Sequence, residues 1–119
     1  LLALCSILTN NPLMHEPGIA DANIDYENYN IIINYKTYEV AILLMLTSPV
    51  IKDLFECFMD IIIKHFIENF SKNIKRLNEL VLIYPNKVII GTHIYCMQVS
   101  IDYNKLIEDF DNMSIRLSL

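Results

Sequence analysis

Two prolines and a glycine fall within seven positions of the segment Asn11-Pro12-Leu13-Met14-His15-Glu16-Pro17-Gly18, and the chain holds only one other glycine, Gly91. Each proline fixes its own φ and pushes the residue before it toward extended backbone, so this segment is a rigid turn that no helix can cross. A short apolar run, Leu1 to Leu8, precedes it, and helix-like sequence follows from about Asp25. The chain must therefore fold as helix, proline-bracketed loop, long helix. It opens on Leu-Leu-Ala-Leu with no initiator Met, as if cut inside an element.

Downstream of the loop, apolar residues recur at threes and fours, the helical period. Tyr29, Ile32, Ile33, Val40, Leu43 and Leu44 mark a helix from Asp25 to about Leu46, with the Asp25 carboxylate as its expected cap. Ile31-Ile32-Ile33 carries strand propensity, but the length of the segment favours helix. Ser48-Pro49 is a start signal, a capping hydroxyl followed by proline in the first turn. From there Ile51, Leu54, Phe55, Phe58, Ile61, Ile62, Phe66, Phe70, Ile74, Leu77 and Val81 keep helical spacing until Tyr84-Pro85-Asn86 ends it. So long a helix predicts a bend, placed near Asn69 to Ser71. Gly91-Thr92 is read as opening a last helix with Tyr95, Val99, Tyr103, Leu106, Phe110 and Met113 on one stripe, and Val88 to Ile90 stays ambiguous. The fold class expected is all-α, of three or four helices.

Apolar residues make up 54% of the 119, above the roughly 45–50% of soluble domains. Such a chain either packs densely or carries a face meant for a partner, and the second reading is favoured here. The most apolar run, Val40 to Leu46, falls far short of the ~20 residues a membrane span needs, and Leu1 to Leu8 lacks the basic flank of a signal peptide. An intracellular, cytoplasmic chain with no membrane partner is expected. Cys5, Cys57 and Cys96 are an odd count at wide spacings, which is no disulfide framework. The net charge of −5 argues against nucleic acid, which needs a broad basic surface. Lys72, Lys75 and Arg76 form one small basic cluster, read as a solvated helix face.

The loop also carries a resemblance. Asn11-Pro12-Leu13-Met14-His15-Glu16-Pro17-Gly18 resembles the Asn-Pro-Tyr-x-Asn-Glu-Pro-Gly signature of large, divergent ubiquitin-conjugating enzymes, including those fused to giant inhibitor-of-apoptosis proteins. Asn28-Tyr29-Asn30, Thr37 and Val40-Ala41 are similar to the third helix of that subgroup, and Phe55, His65-Phe66, Lys87 and Gly91 to its C-terminal extension. The resemblance implies a transferase that carries ubiquitin, or a related modifier, as a cysteine thioester and passes it to a lysine. It implies an activating enzyme and a ligase as further partners of the full-length protein, and no cofactor. It also implies an α+β fold of which residues 1–119 are the C-terminal helical portion: 1–9 the end of a helix after the active site, 10–24 the flanking loop, 25–119 the helical remainder. The family's His-Pro-Asn motif and nucleophilic cysteine lie upstream of that helix. Neither is identifiable here, so the catalytic half is absent from the chain.

Within that reading, Asn11 matches the position that gates the incoming lysine, where an amide can hydrogen-bond but cannot act as a base. His15 replaces an asparagine of the subgroup and belongs to a residue type that titrates near neutral pH. Pro12, Glu16, Pro17 and Gly18 shape the loop. The plainer alternative is that Asn11, His15 and Glu16 only satisfy backbone groups and cap the next helix. Cys5 sits among Leu2, Leu4, Ile7 and Leu8 with no neighbouring cation to lower its pKa and is read as structural, as are Cys57 and Cys96 as packing residues. His93 with Cys96, and Cys57 with His65, offer zinc-type ligands but no paired-cysteine spacing, so no metal is expected. Two functions remain open: half of a conjugating enzyme, or a non-catalytic helical interaction module that binds a partner through its apolar face. Expressed alone, without the sheet its helices would cover, the chain is expected to self-associate or behave as a molten bundle.

Overall fold

The structure, a computed structural model, describes Pro12 to Glu16, Gly18 and residues 24–117. A 3-10 turn, Pro12–His15, comes first, closed by the Glu16 N–H donating to the Leu13 carbonyl at 3.2 Å. It packs on helix α1 (Tyr26–Lys36) and buries Leu13, while α1 buries Ile32 beside it. The expected helix at Leu1 to Thr9 lies outside the described residues.

Helix α1 does not stop at Lys36. It runs on through a π-helical stretch, Thr37–Leu44, into a closing α-turn, Met45–Thr47. Thr37 Oγ1 donates to the Ile33 carbonyl at 2.8 Å and Thr47 Oγ1 to the Leu43 carbonyl at 3.1 Å, near the two ends of the loosened winding. Hydroxyls that bond back to the preceding turn compete with the α-ladder in this way. Packing keeps the β-branched Ile31-Ile32-Ile33 helical, with Ile31 partly buried against the core.

Ser48 caps helix α2 (Pro49–Leu54) by accepting from the Ile51 N–H at 3.4 Å, with Pro49 in the first turn. The break in the long helical stretch falls earlier than the sequence predicts. Phe55 leaves helical geometry and a 3-10 turn, Glu56–Phe58, follows, after which α3 (Met59–Ile83) is one continuous helix. Asn69 lies within it, its side chain donating to the His65 carbonyl at 2.9 Å on the same helix.

The all-α expectation needs correction. The chain is mostly helical, but Val88–Gly91 and Gln98–Ile101 form strands β1 and β2, an antiparallel hairpin with Val88 opposite Ile101 and Gly91 opposite Gln98. Val88, Ile90, Val99 and Ile101 alternate toward the core, a period of two that overrides the helical spacing read through Tyr95 and Val99. The last helix, α4 (Tyr103–Arg116), therefore starts well beyond Gly91, capped by Asp102, whose carboxylate accepts from the Lys105 N–H at 3.0 Å.

Helix α4 lies on α3 and brings Tyr103, Leu106, Phe110 and Met113 into the core with Leu77, Leu80 and Phe66. Aromatic rings run through it. Tyr103 meets Tyr84 and Tyr35 at centroid separations of 5.8 and 5.3 Å, and Phe110 meets Phe66 and Tyr38 at 5.6 and 6.2 Å. Among the described residues no helix is long and apolar enough to cross a membrane.

Candidate functional site

The predicted loop residues do not assemble a catalytic centre among the described residues. Asn11 and Pro17 lie outside them. Pro12, His15, Glu16 and Gly18 are exposed, and Gly18 takes φ +82, a left-handed turn that suits glycine. Glu16 instead has the Tyr95 hydroxyl of the hairpin turn as an electrostatic neighbour. Burial first, and then that carboxylate, push the Tyr95 hydroxyl pKa up.

Asp25 also has a different role from the one expected. It precedes α1 but makes no capping bond to it. Its Oδ2 accepts from the Ile94 N–H at 2.8 Å, across the fold. That bond holds the hairpin turn, in which Thr92 Oγ1 donates to the Ile94 carbonyl at 2.6 Å and Tyr95 and Cys96 both take positive φ, 62 and 48. Non-glycine residues held there cost about 1 kcal/mol or more each, so the turn needs outside support. Asn28 supplies more by donating to the Gly91 carbonyl at 2.9 Å. The Ile94 N–H holds the Asp25 carboxyl below its ordinary pKa, against an opposing effect of burial. A sequence pattern cannot show this clamp, since its partners lie 69 residues apart.

Cys57 and Cys96 are exposed rather than packed. The Cys96 Sγ lies 3.8 Å from the His93 carbonyl, and among the described residues no three His, Cys, Asp or Glu side chains gather as a metal site would require.

What the fold does build is an apolar groove. Ala41, Ile42, Met45 and Leu46, from the π stretch and its closing turn, form one wall. Ile61, Ile62 and Phe66 of α3 form the other, and His65, Asn69, Lys72 and Asn73 line the rim. It encloses about 500 Å³ and has no acidic residue in its lining. Between the groove's two walls in sequence stands an arm, α2 and the following 3-10 turn, exposed along nearly its whole length. Val50, Leu54 and Phe58 there are 67%, 71% and 52% exposed, and Ile61 at the groove's edge is 66% exposed. Large apolar side chains exposed beside a groove mark interaction sites more often than scattered single residues do. The helical stripe in the sequence named Leu54, Phe58 and Ile61 but not Val50, and it did not show their exposure.

No protein-family model matches the chain, and neither the curated proteins nor the solved structures compared with it give a match.

Proposed function

We propose that the chain is a non-catalytic helical protein-interaction module that binds a partner helix in the groove between the π stretch and α3. The observation that carries this is the uncovered apolar surface: a trough walled by Ile42, Met45, Ile61 and Phe66, with Val50, Leu54 and Phe58 of the intervening arm also exposed. An amphipathic helix laid in such a trough buries its own apolar stripe and removes these side chains from water. Fully burying one Leu, Ile or Phe side chain is worth roughly 1.5–3 kcal/mol, so a few anchors suffice for useful affinity. The test is Ile61→Glu. The residue is exposed, so melting should be unchanged, while retention of a bound partner should fall sharply. Retention equal to that of the parent chain would remove the groove from consideration.

A second reading is favoured by one observation. The described part of the loop carrying the conjugating-enzyme resemblance is folded against α1 through buried Leu13, directly before the helix that the resemblance continues into. On that reading the same apolar surface backs the sheet of an upstream catalytic half. Thioester chemistry needs a thiolate as well as an oxyanion donor, and the groove lining holds no cysteine. With activating enzyme, ATP and ubiquitin, the chain itself should form no thiol-sensitive adduct. An adduct on Cys57 or Cys96 would overturn the non-catalytic reading. A His-Pro-Asn and cysteine in the upstream reading frame, loaded as a thioester, would establish the second.

A further inference from the structure

The groove is not uniform along its length. Lys72 and Asn73, which line its rim, also line a neighbouring pocket of about 410 Å³ formed with Tyr38, Lys75, Arg76 and Glu79. The trough is thus apolar where Ile61 and Ile62 lie and cationic where α3 reaches Arg76. Glu79 is committed to Arg76 at 2.9 Å, whereas Lys72 and Lys75 have no salt-bridge partner among the described residues. Three cations against one carboxylate stand at this end, on a chain whose net charge is −5.

We infer that the partner helix is amphipathic with one acidic end, and that it lies along α3 with its carboxylates at Lys72, Lys75 and Arg76. This rests on the interaction-module reading and adds the partner's charge and direction to it. From Ile61 to Arg76 the lining follows one helix for about 22 Å, the length of roughly fifteen helical residues. Such a helix places apolar anchors at three- and four-residue spacing over the trough and its last turn at the mouth. Acidic groups at that turn meet charges of opposite sign, which fixes orientation and speeds encounter more than it adds affinity. Three cations are too few for a nucleic-acid backbone. An open trough also suits a helix better than a lipid chain, which binding sites usually enclose.

The test uses the whole chain as bait for a displayed library of amphipathic helical peptides about four turns long, with the charge of each end randomised. Expected binders carry Asp or Glu at one end only. Their affinity should fall about tenfold in the Lys72→Gln, Lys75→Gln, Arg76→Gln chain, the scale of two or three rim ion pairs, and be lost in the Ile61→Asp chain. Circular dichroism confirms that both variants fold. Binders that need Ile61 but show no acidic bias, or no loss in the triple-Gln chain, overturn the charge and direction while leaving the module standing. No binders at all, or binders indifferent to Ile61→Asp, overturn the module as well. Oleate that blocks the trough when no peptide does would assign it to an anionic amphiphile and overturn the inference.

Discussion

Phe110→Ala tests the packing that everything else rests on. The ring has no solvent exposure and sits where α3, α4 and the π stretch meet, with Phe66 at 5.6 Å and Tyr38 at 6.2 Å. Truncation removes the apolar transfer term and leaves a cavity that two aromatic neighbours fill poorly, and such changes cost about 3–5 kcal/mol. A chain of 119 residues carries only ~6–18 kcal/mol of stability in total, so the variant loses a large share of it. The melting midpoint should drop by roughly 10–25 °C, scaling between the values for smaller and larger domains. Urea unfolding followed by far-ultraviolet circular dichroism measures this directly. Leu82→Ala is the control, because Leu82 is 84% exposed on the partner helix α3 and should change stability by no more than about 0.5 kcal/mol. A Phe110→Ala loss below about 1 kcal/mol, or one equal to the control, would mean that α3 and α4 do not pack in solution as described.

Tyr35 and Tyr103 are each pushed up to about 12, chiefly by burial, with Glu39 adding to the first and Tyr84 to the second. A raised folded-state pKa gives stability that is complete below the unfolded value near 10 and is lost as pH rises toward 12. Unfolding midpoints should therefore fall across that window, less steeply in Tyr35→Phe, and phenolate absorbance should show some of the seven tyrosines titrating late. Asp25 has the opposite sign, since its folded pKa lies below the ordinary 3.8. Its contribution is present above that value and is lost as pH falls through the folded pKa. Asp25→Asn should lower stability at neutral pH and flatten the acid limb, and acid limbs of equal slope would refute the hairpin clamp. The exposed apolar arm predicts concentration-dependent self-association in sedimentation, reduced by Leu54→Lys with Phe58→Lys; a monodisperse parent chain would count against an uncovered face.

How much of this the sequence showed follows from the range of each interaction. Ser48-Pro49 and Tyr84-Pro85 act on their own neighbours, so the start of α2 and the end of α3 were legible. The break at Phe55 was not, because both sides of it keep helical spacing and only the backbone at Phe55 records the change. Helix was read through Val99 and Tyr103 because residues four apart also fit part of a strand-then-helix succession. The alternation of Val88 with Ile90, and of Val99 with Ile101, becomes decisive only when the strands pair, and pairing depends on Asp25 and Asn28 from far upstream. Asp25 looked like a cap because the carboxylate before a helix usually is one. Here the strained turn at Tyr95 and Cys96 claims it.

The apolar surplus was legible as a quantity, but its meaning is set by placement. A dense interior would have hidden it, and the core does absorb Phe66, Leu77, Phe110 and their neighbours. What remains is exposed at several places, Leu82, Ile24 and Ile115 among them, and includes Val50, Leu54 and Phe58 of the arm and Ile61 of the trough, while Lys72 lies at the trough's rim with Lys75 and Arg76 in the neighbouring pocket. An apolar surface graded into a cationic one has a direction along α3, and a sheet lying across these helices would use the grease but leave the cations facing nothing. A helix with one acidic end would use both, so an acidic bias in the selected binders is the result that would favour the interaction module over an upstream sheet.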